Sequence, residues 1–316
     1  MDRRGAHLRS SRRGNAAFMG SGLAAARRRG MTGNSGLPTT APAGKVHGVA
    51  EIGFARRNGA TRLAHLYQRA PLRVLFPGPD GDPAALAVIV TTSGGLVAGD
   101  RLDVAVDVDA GAMGHVTGSA AEKLYRSTGA TTEIAQRLTV ATGGWLEFLP
   151  PEAILFDGAR LRRETHVDLA EDAGFLGGGI IVFGRRARGE GFTHGLLHEG
   201  WEVRRDGALA WGDALHVDGD VAAIMADPAC FDGAAACATL VLAPPAGNPQ
   251  GLLDEARAVQ HRAPDIRAGV TAVGGLLIAR WLGEPLPLRR AYADLACHLR
   301  RAAMGLPTRL PRLWHV

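Results

Sequence analysis

Apolar and polar residues alternate from Leu102 to Asp109: Leu102, Val104, Val106 and Val108 interleave with Asp103, Ala105, Asp107 and Asp109. A period of two puts the apolar set on one face of a strand and the acids on the other. Similar short segments follow throughout the first two-thirds of the chain. The pattern predicts strands over Leu72–Phe76, Leu86–Val90, Glu133–Ala141, Trp145–Leu149, Thr165–Ala170, Gly179–Phe183, Glu202–Arg205 and Ala214–Val217. Leu72–Phe76 ends at Pro77-Gly78-Pro79, a firm stop. Turn signals every ten residues or so fit stacked sheets, a sandwich or a solenoid rather than βαβ units. After Cys237 the texture changes. Thr239–Leu242 reads as a strand, and Val270–Leu282 as strand broken at Gly274-Gly275. Two helices are expected: Leu252–His261, with Leu252, Leu253, Ala256 and Val259 on one face, and a second helix marked by Leu288, Tyr292, Leu295, Leu299 and Ala302. Arg289, Arg290, Arg300 and Arg301 fall off that second stripe, and Pro307 and Pro311 end the helix before an extended tail with Trp314.

The 316 residues, 46% hydrophobic, suffice for a substantial core, and 43 glycines with 17 prolines favour a turn-rich β fold. No apolar run reaches 18 residues, so no membrane-crossing helix is expected. The net charge of +5 is uneven. Residues 1–30 hold eight arginines against Asp2, a net of +7, which leaves −2 for the other 286 residues. The part expected to fold therefore lacks the basic surface of a nucleic-acid binder. Residues 1–45 read as a disordered Arg-rich extension, or as an over-extended start preceding Met19 or Met31, and residues 46–316 as one β-rich domain. A twin-arginine export signal at Ser11-Arg12-Arg13 and an organellar transit peptide are the rival readings. Gly20, Ser21 and Gly22 break the apolar stretch that an export signal would need. Cys230, Cys237 and Cys297 are an odd count and read as reduced thiols of a cytoplasmic protein.

Candidate chemistry is sparse. No phosphate-binding G-x-x-x-x-G-K-[ST] and no G-x-S-x-G nucleophile turn occurs. Gly94-Gly95-Leu96-Val97-Ala98-Gly99-Asp100 reads as a tight turn that needs glycine at positive φ. His194 and His198 are the nearest approach to a metal pair, but no carboxylate or Cys completes a tetrahedral set beside them. Asp100, Asp103, Asp107 and Asp109 form an acidic row, read as a solvated strand face or as an electrostatic surface for a cation or cationic partner. Glu152 and Asp157 flank Ile154-Leu155-Phe156, with Arg160, Arg162 and Arg163 as their expected partners. Lys123, Tyr125 and Arg126 form a basic-aromatic cluster suited to a partner surface or a salt bridge.

Five segments in order carry a resemblance: the GGLVAGD turn, Lys123-Leu124-Tyr125-Arg126-Ser127, Leu149-Pro150-Pro151-Glu152-Ala153-Ile154-Leu155-Phe156, Gly184-Arg185 with Gly189-Glu190, and Leu310-Pro311-Arg312-Leu313-Trp314. Over about Val46 to Val316 the chain resembles the urease accessory protein UreD family, called UreH in some organisms. The resemblance implies a mainly β fold, a solenoid-like helical stack of β-sheets with two C-terminal α-helices. It also implies a maturation factor rather than an enzyme. Such a factor joins UreF and the GTPase UreG to apo-urease (UreABC), needs no tightly bound cofactor, and passes nickel in transit through water-filled tunnels. Nickel accepts imidazole, carboxylate and water, and a conduit must hold it weakly enough to release it. Asp100, His115, Glu152 and Asp157 are the transit candidates, and Lys123, Tyr125 and Arg126 the partner-binding candidates. Many relatives carry a Trp-acid pair where this chain has Gly178 and Gly179, so that acid is missing or supplied elsewhere, with Glu152 the candidate. Two other readings compete: a metal-dependent hydrolase using His194 and His198, and a β-solenoid module binding an extracellular polymer.

Overall fold

In a computed structural model, the structure describes residues 45–78, 81–245, 249–263 and 265–315. The expectation for residues 1–45 falls almost wholly outside them. The strands are β1 (His47–Arg57), β2 (Ala60–Arg69), β3 (Leu72–Leu75), β4 (Ala85–Thr91), β5 (Arg101–Val108), β6 (Met113–Gly118), β7 (Glu122–Leu124), β8 (Thr132–Val140), β9 (Trp145–Phe148), β10 (Ala153–Leu155), β11 (Arg160–Leu169), β12 (Gly174–Phe183), β13 (Leu196–Arg205), β14 (Ala208–Val217), β15 (Ala236–Ala243), β16 (Arg267–Val273) and β17 (Leu276–Gly283). The helices are α1 (Val221–Ala226), α2 (Gln250–Gln260) and α3 (Pro285–Met304).

The chain climbs by crossing between two sheets. β5, β8, β11 and β13 stack in parallel in a sheet of order β14-β13-β11-β8-β5-β1-β2. The strands that follow the first three of them, β6, β9 and β12, stack in parallel in a second sheet of order β16-β17-β15-β12-β9-β6-β4-β3. Each coil thus contributes one strand to each sheet. This gives parallel pairing without crossover helices and is the solenoid-like stack expected. Antiparallel hairpins β1–β2 and β13–β14 close the first sheet, and β15, β16 and β17 extend the second.

Two apolar layers result. Val104, Val106, Leu138, Val167 and Val203 of the first sheet meet Val116, Leu146, Phe148, Phe175 and Ile181 of the second. On its other face the second sheet meets α2 and α3 through Trp145, Leu176, Leu240, Trp281, Tyr292, Leu295 and Leu299. The central strands of the second sheet are therefore buried on both sides, and every residue of β9 and β12 is buried. Strands with protein on both faces read as apolar runs rather than alternations.

Both expected C-terminal helices form, and the short α1 was not anticipated. The stripe expected for α3 is buried at Leu288, Tyr292, Leu295 and Leu299, whereas Ala302 is exposed. Arg300 was expected on the polar side and is instead completely buried. The tail does not stay extended: Arg312–His315 form a 3-10 turn, and Trp314 packs against Tyr292 with ring centroids 5.8 Å apart.

Candidate functional site

Four of the five motifs meet on one patch. In the Gly-rich turn, Gly95 has a φ of +149°, and a Cβ there would lie 2.5 Å from the Tyr125 ring. Glycine is thus needed for both the backbone angle and the close approach. Leu96 N–H donates to the Lys123 carbonyl (2.7 Å) and Tyr125 N–H to the Leu96 carbonyl (2.9 Å), which knits the turn to the Lys-Leu-Tyr-Arg-Ser segment. The Tyr125 hydroxyl donates to the Gly94 carbonyl at 3.1 Å. β10 then pairs with β7 on one side and β12 on the other, bringing in the Pro-Pro-Glu segment. The Tyr125 ring meets Phe156 edge to face at 4.9 Å, and the Arg185 guanidinium covers the other ring at 4.3 Å from its centroid.

Carboxylates lock this arrangement. Glu190 pairs with Arg185, accepting from its Nε at 3.1 Å, and also accepts from Asp157 N–H at 3.1 Å. Asp157 Oδ1 accepts from Thr193 N–H (2.7 Å) and Thr193 Oγ1 (2.9 Å), while Oδ2 faces His194 Nδ1 at 3.2 Å and Arg126 Nη2 at 3.8 Å. Burial opposes ionisation of Asp157, but the bonds from Thr193 and His194 outweigh it and hold its pKa below the ordinary value. Lys123 and Arg126 stand exposed around the half-buried Tyr125, with the exposed Val97 of the Gly-rich turn also solvent-facing.

A cavity of about 190 Å³ lies behind the patch, between the two sheets, with Gly95, Glu122, Lys123, Thr91, Gln136 and Arg163 in its walls. Burial pushes the Glu122 carboxyl up, against the hydrogen bond that the Thr91 hydroxyl donates to it. Arg163 is held by Glu199, whose two oxygens accept from its Nε at 2.9 and 2.7 Å. On β12, Gly179 faces this pair and Gly178 faces the helix side. A Cβ on Gly178 would sit 2.7 Å from the Tyr292 hydroxyl, and one on Gly179 3.1 Å from Arg163 Nη2. The Thr239 carbonyl, 2.1 Å from that Gly178 Cβ, together with Tyr292 and Arg163 therefore occupies the space that larger side chains at these two positions would need.

The four transit candidates are not brought together. Asp100 leaves the acidic row: it is 2% exposed, and its carboxylate accepts from Val46 N–H (3.0 Å) and Val97 N–H (2.9 Å), tying the Gly-rich turn to the start of β1. Glu152 lies 3.5 Å from Arg289 of α3. Of the arginines expected as partners of Glu152 and Asp157, Arg162 pairs with Glu164 and Arg163 with Glu199. Asp157 belongs to the motif patch. His115 lies in the helix-side layer, with Nδ1 2.6 Å from Glu147 Oε2.

Glu147 escaped the sequence reading. Its only signal was a charge inside the apolar Trp145–Leu149 run. It is fully buried and also takes Arg300 Nε at 2.8 Å and Trp145 Nε1 at 3.2 Å. Arg300 in turn reaches Asp82 at 2.8 Å and the Arg309 carbonyl at 2.7 Å. The fifth motif thus docks through α3, and Trp314 Nε1 donates to the Leu149 carbonyl at 3.2 Å. Burial works against the Glu147 charge, yet His115 and Arg300 outweigh it and bring its pKa to about 2.

His194 and His198 do not form a pair. His194 lies against Thr193 and Asp157, whereas His198 contacts Glu164 and His216. Among the described residues, no three His, Cys, Asp or Glu side chains gather into a metal-holding group. Among them, too, no helix is long and apolar enough to cross a membrane.

The family model described as UreD urease accessory protein matches residues 46–315. The chain is 42% identical to the urease accessory protein UreD of Magnetococcus marinus, an alignment covering 87% of this chain and 96% of that one. It is 42% identical to urease accessory protein UreD 2 of Methylorubrum populi over 84% of this chain and 87% of the relative. A urease accessory protein UreD of Rhodopseudomonas palustris is 35% identical over 90% of this chain and 99% of its own length. With the motif patch assembled on a two-sheet stack and full-length relatives at this identity, the chain belongs to the UreD urease accessory protein family.

Proposed function

We propose that this protein is a non-catalytic urease maturation factor. It acts in the cytoplasm as a scaffold that joins UreF and the GTPase UreG to apo-urease and helps nickel reach the urease active site. Family membership supports the role in maturation. The observation that carries the scaffold reading is the convergence of four sequence-distant motifs on one surface patch. Glycine turns, ring packing and the Asp157 and Glu190 hydrogen bonds hold that patch rigid, and Lys123, Arg126 and Val97 remain outward for a partner. A rigid patch with an aromatic centre and exposed cationic rim suits a protein interface, which needs on the order of 800 Å² per side.

The cavity behind the patch supports a path for nickel between the sheets. Burial raises the pKa of its acid, Glu122, which weakens its hold on a cation passing through. Nickel is cargo in this reading, and no cofactor is resident.

The test is a double substitution, Tyr125→Ala with Arg126→Ala, in cells that co-express urease and the other accessory proteins. Co-purification with UreF and apo-urease is expected to fall, along with the nickel content of urease, while previously activated urease keeps its activity. Urease loaded with nickel to the normal level in those cells would remove the patch from the mechanism. Normal loading after deletion of the whole gene would remove the protein from it.

A further inference from the structure

The outer face of the first sheet carries a histidine pair that the maturation reading does not use. His198 on β13 and His216 on β14 are directly opposed in the antiparallel register. Their Nδ1 atoms face each other at 3.3 Å, with ring centroids 5.5 Å apart and planes inclined by 62°. The far side of the His198 ring is fixed by Glu164, whose Oε1 lies 3.0 Å from Nε2. Gly200 makes this possible, because a Cβ there would fall 2.0 Å from Glu164 Oε2. Arg162 Nη1 donates to the same Glu164 oxygen at 3.3 Å and holds the carboxylate in place. His216 is exposed and His198 partly so.

We propose that His198 and His216, with Glu164 behind His198, form an open surface site for a late first-row divalent cation such as nickel, copper or zinc. Glu164 Oε1, 3.0 Å from Nε2, favours the tautomer protonated there, which leaves the lone pair of His198 on Nδ1, the atom turned toward His216. A carboxylate behind a ligating imidazole is the usual means of setting that tautomer and raising ligand basicity. His216 turns from donor to ligand by carrying its proton on Nε2 instead of Nδ1. Two metal–nitrogen bonds of about 2.1 Å spanning the 3.3 Å separation enclose an angle of roughly 104°, between octahedral and tetrahedral values. Imidazole nitrogens select nickel, copper and zinc over magnesium and calcium. Two protein ligands leave the remaining positions to water, which fits the absence of a closed ligand group among the described residues. The strand pairing holds both side chains on one rigid face, so little ordering is needed on binding. The site stands on this geometry alone and does not depend on the maturation reading.

The test uses the tag-free full chain, titrated with nickel chloride by calorimetry and loaded with one equivalent of copper(II) for electron paramagnetic resonance. The wild type is expected to bind one more nickel equivalent than the double variant His198→Ala/His216→Ala. Its copper spectrum should show coupling to two imidazole nitrogens, reduced to one in His216→Ala. Glu164→Gln should weaken nickel binding by about 10- to 100-fold while keeping the stoichiometry. Equal nickel stoichiometry in the wild type and the double variant, or a copper spectrum unaltered by His216→Ala, overturns the site. His216→Ala changes an exposed position, so it carries the test by itself if the double variant does not fold.

Discussion

The first sheet has water on one face, and the central strands of the second have protein on both. Side by side they show how one chain handles charge in two settings. On the outside of the first sheet, acids and bases meet in pairs open to solvent: Asp103 with His47 and Arg101, and Arg162 with Glu164. Such pairs contribute little to stability. On the helix-facing side of the second sheet the charges of Glu147 and Arg300 are wholly buried, and most of their polar atoms are paired. Glu147 takes His115, Trp145 and Arg300, and Arg300 reaches on to Asp82 and two carbonyls of the C-terminal segment. A buried charge is tolerated only when its partners replace water. The cluster also links β6, β9, α3 and the terminal motif, so it sets how the helical layer sits on the sheet.

The contrast can be broken most severely at Arg300. Arg300→Met leaves Glu147 and Asp82 without their shared cation and is expected to cost about 3–5 kcal/mol, read from urea unfolding. A loss under 1 kcal/mol would make the buried cluster no different from a surface pair. Acid should expose the same asymmetry less abruptly. The folded-state pKa of Glu147 is depressed to about 2, so its contribution is fully present above the unfolded carboxylate range. That contribution is lost as pH falls from roughly 4.5 through 2, by a few kcal/mol in all. Glu147→Gln should flatten the acid limb of a stability–pH curve, and an unchanged limb would place the acid sensitivity elsewhere. The smallest effect belongs to the exposed sheet face. Asp103→Asn removes the partner of both His47 and Arg101 and should change stability by no more than about 1 kcal/mol, less still at high salt.

The legibility of the chain follows the same division. In the first sheet, alternation marked β5 and β8 closely, because one wet face imposes a period of two on the sequence. Asp100 was misplaced in the acidic row since a carboxylate capping two backbone N–H groups looks the same in sequence as one facing solvent. In the second sheet, the apolar runs of β9 and β12 announced strands without saying what covered each face. Arg300 was assigned to solvent by helical spacing, and Glu147 was passed over within its run. The motif patch was legible as a set of ordered segments, but that they touch was not.

Most of the strand order, though not β6 or β7, the two C-terminal helices, the one-sided face of β5 and the family resemblance were written in the sequence alone. They rest on local periodicity and on short motifs, both properties of neighbouring residues. Tertiary structure decided which charges meet. Glu147 and Arg300 are separated by 153 positions, and His198 and His216 become opposed only through hairpin register. A coil that passes from sheet to sheet places residues of successive turns side by side, and no local pattern encodes which side chain will stand across from which.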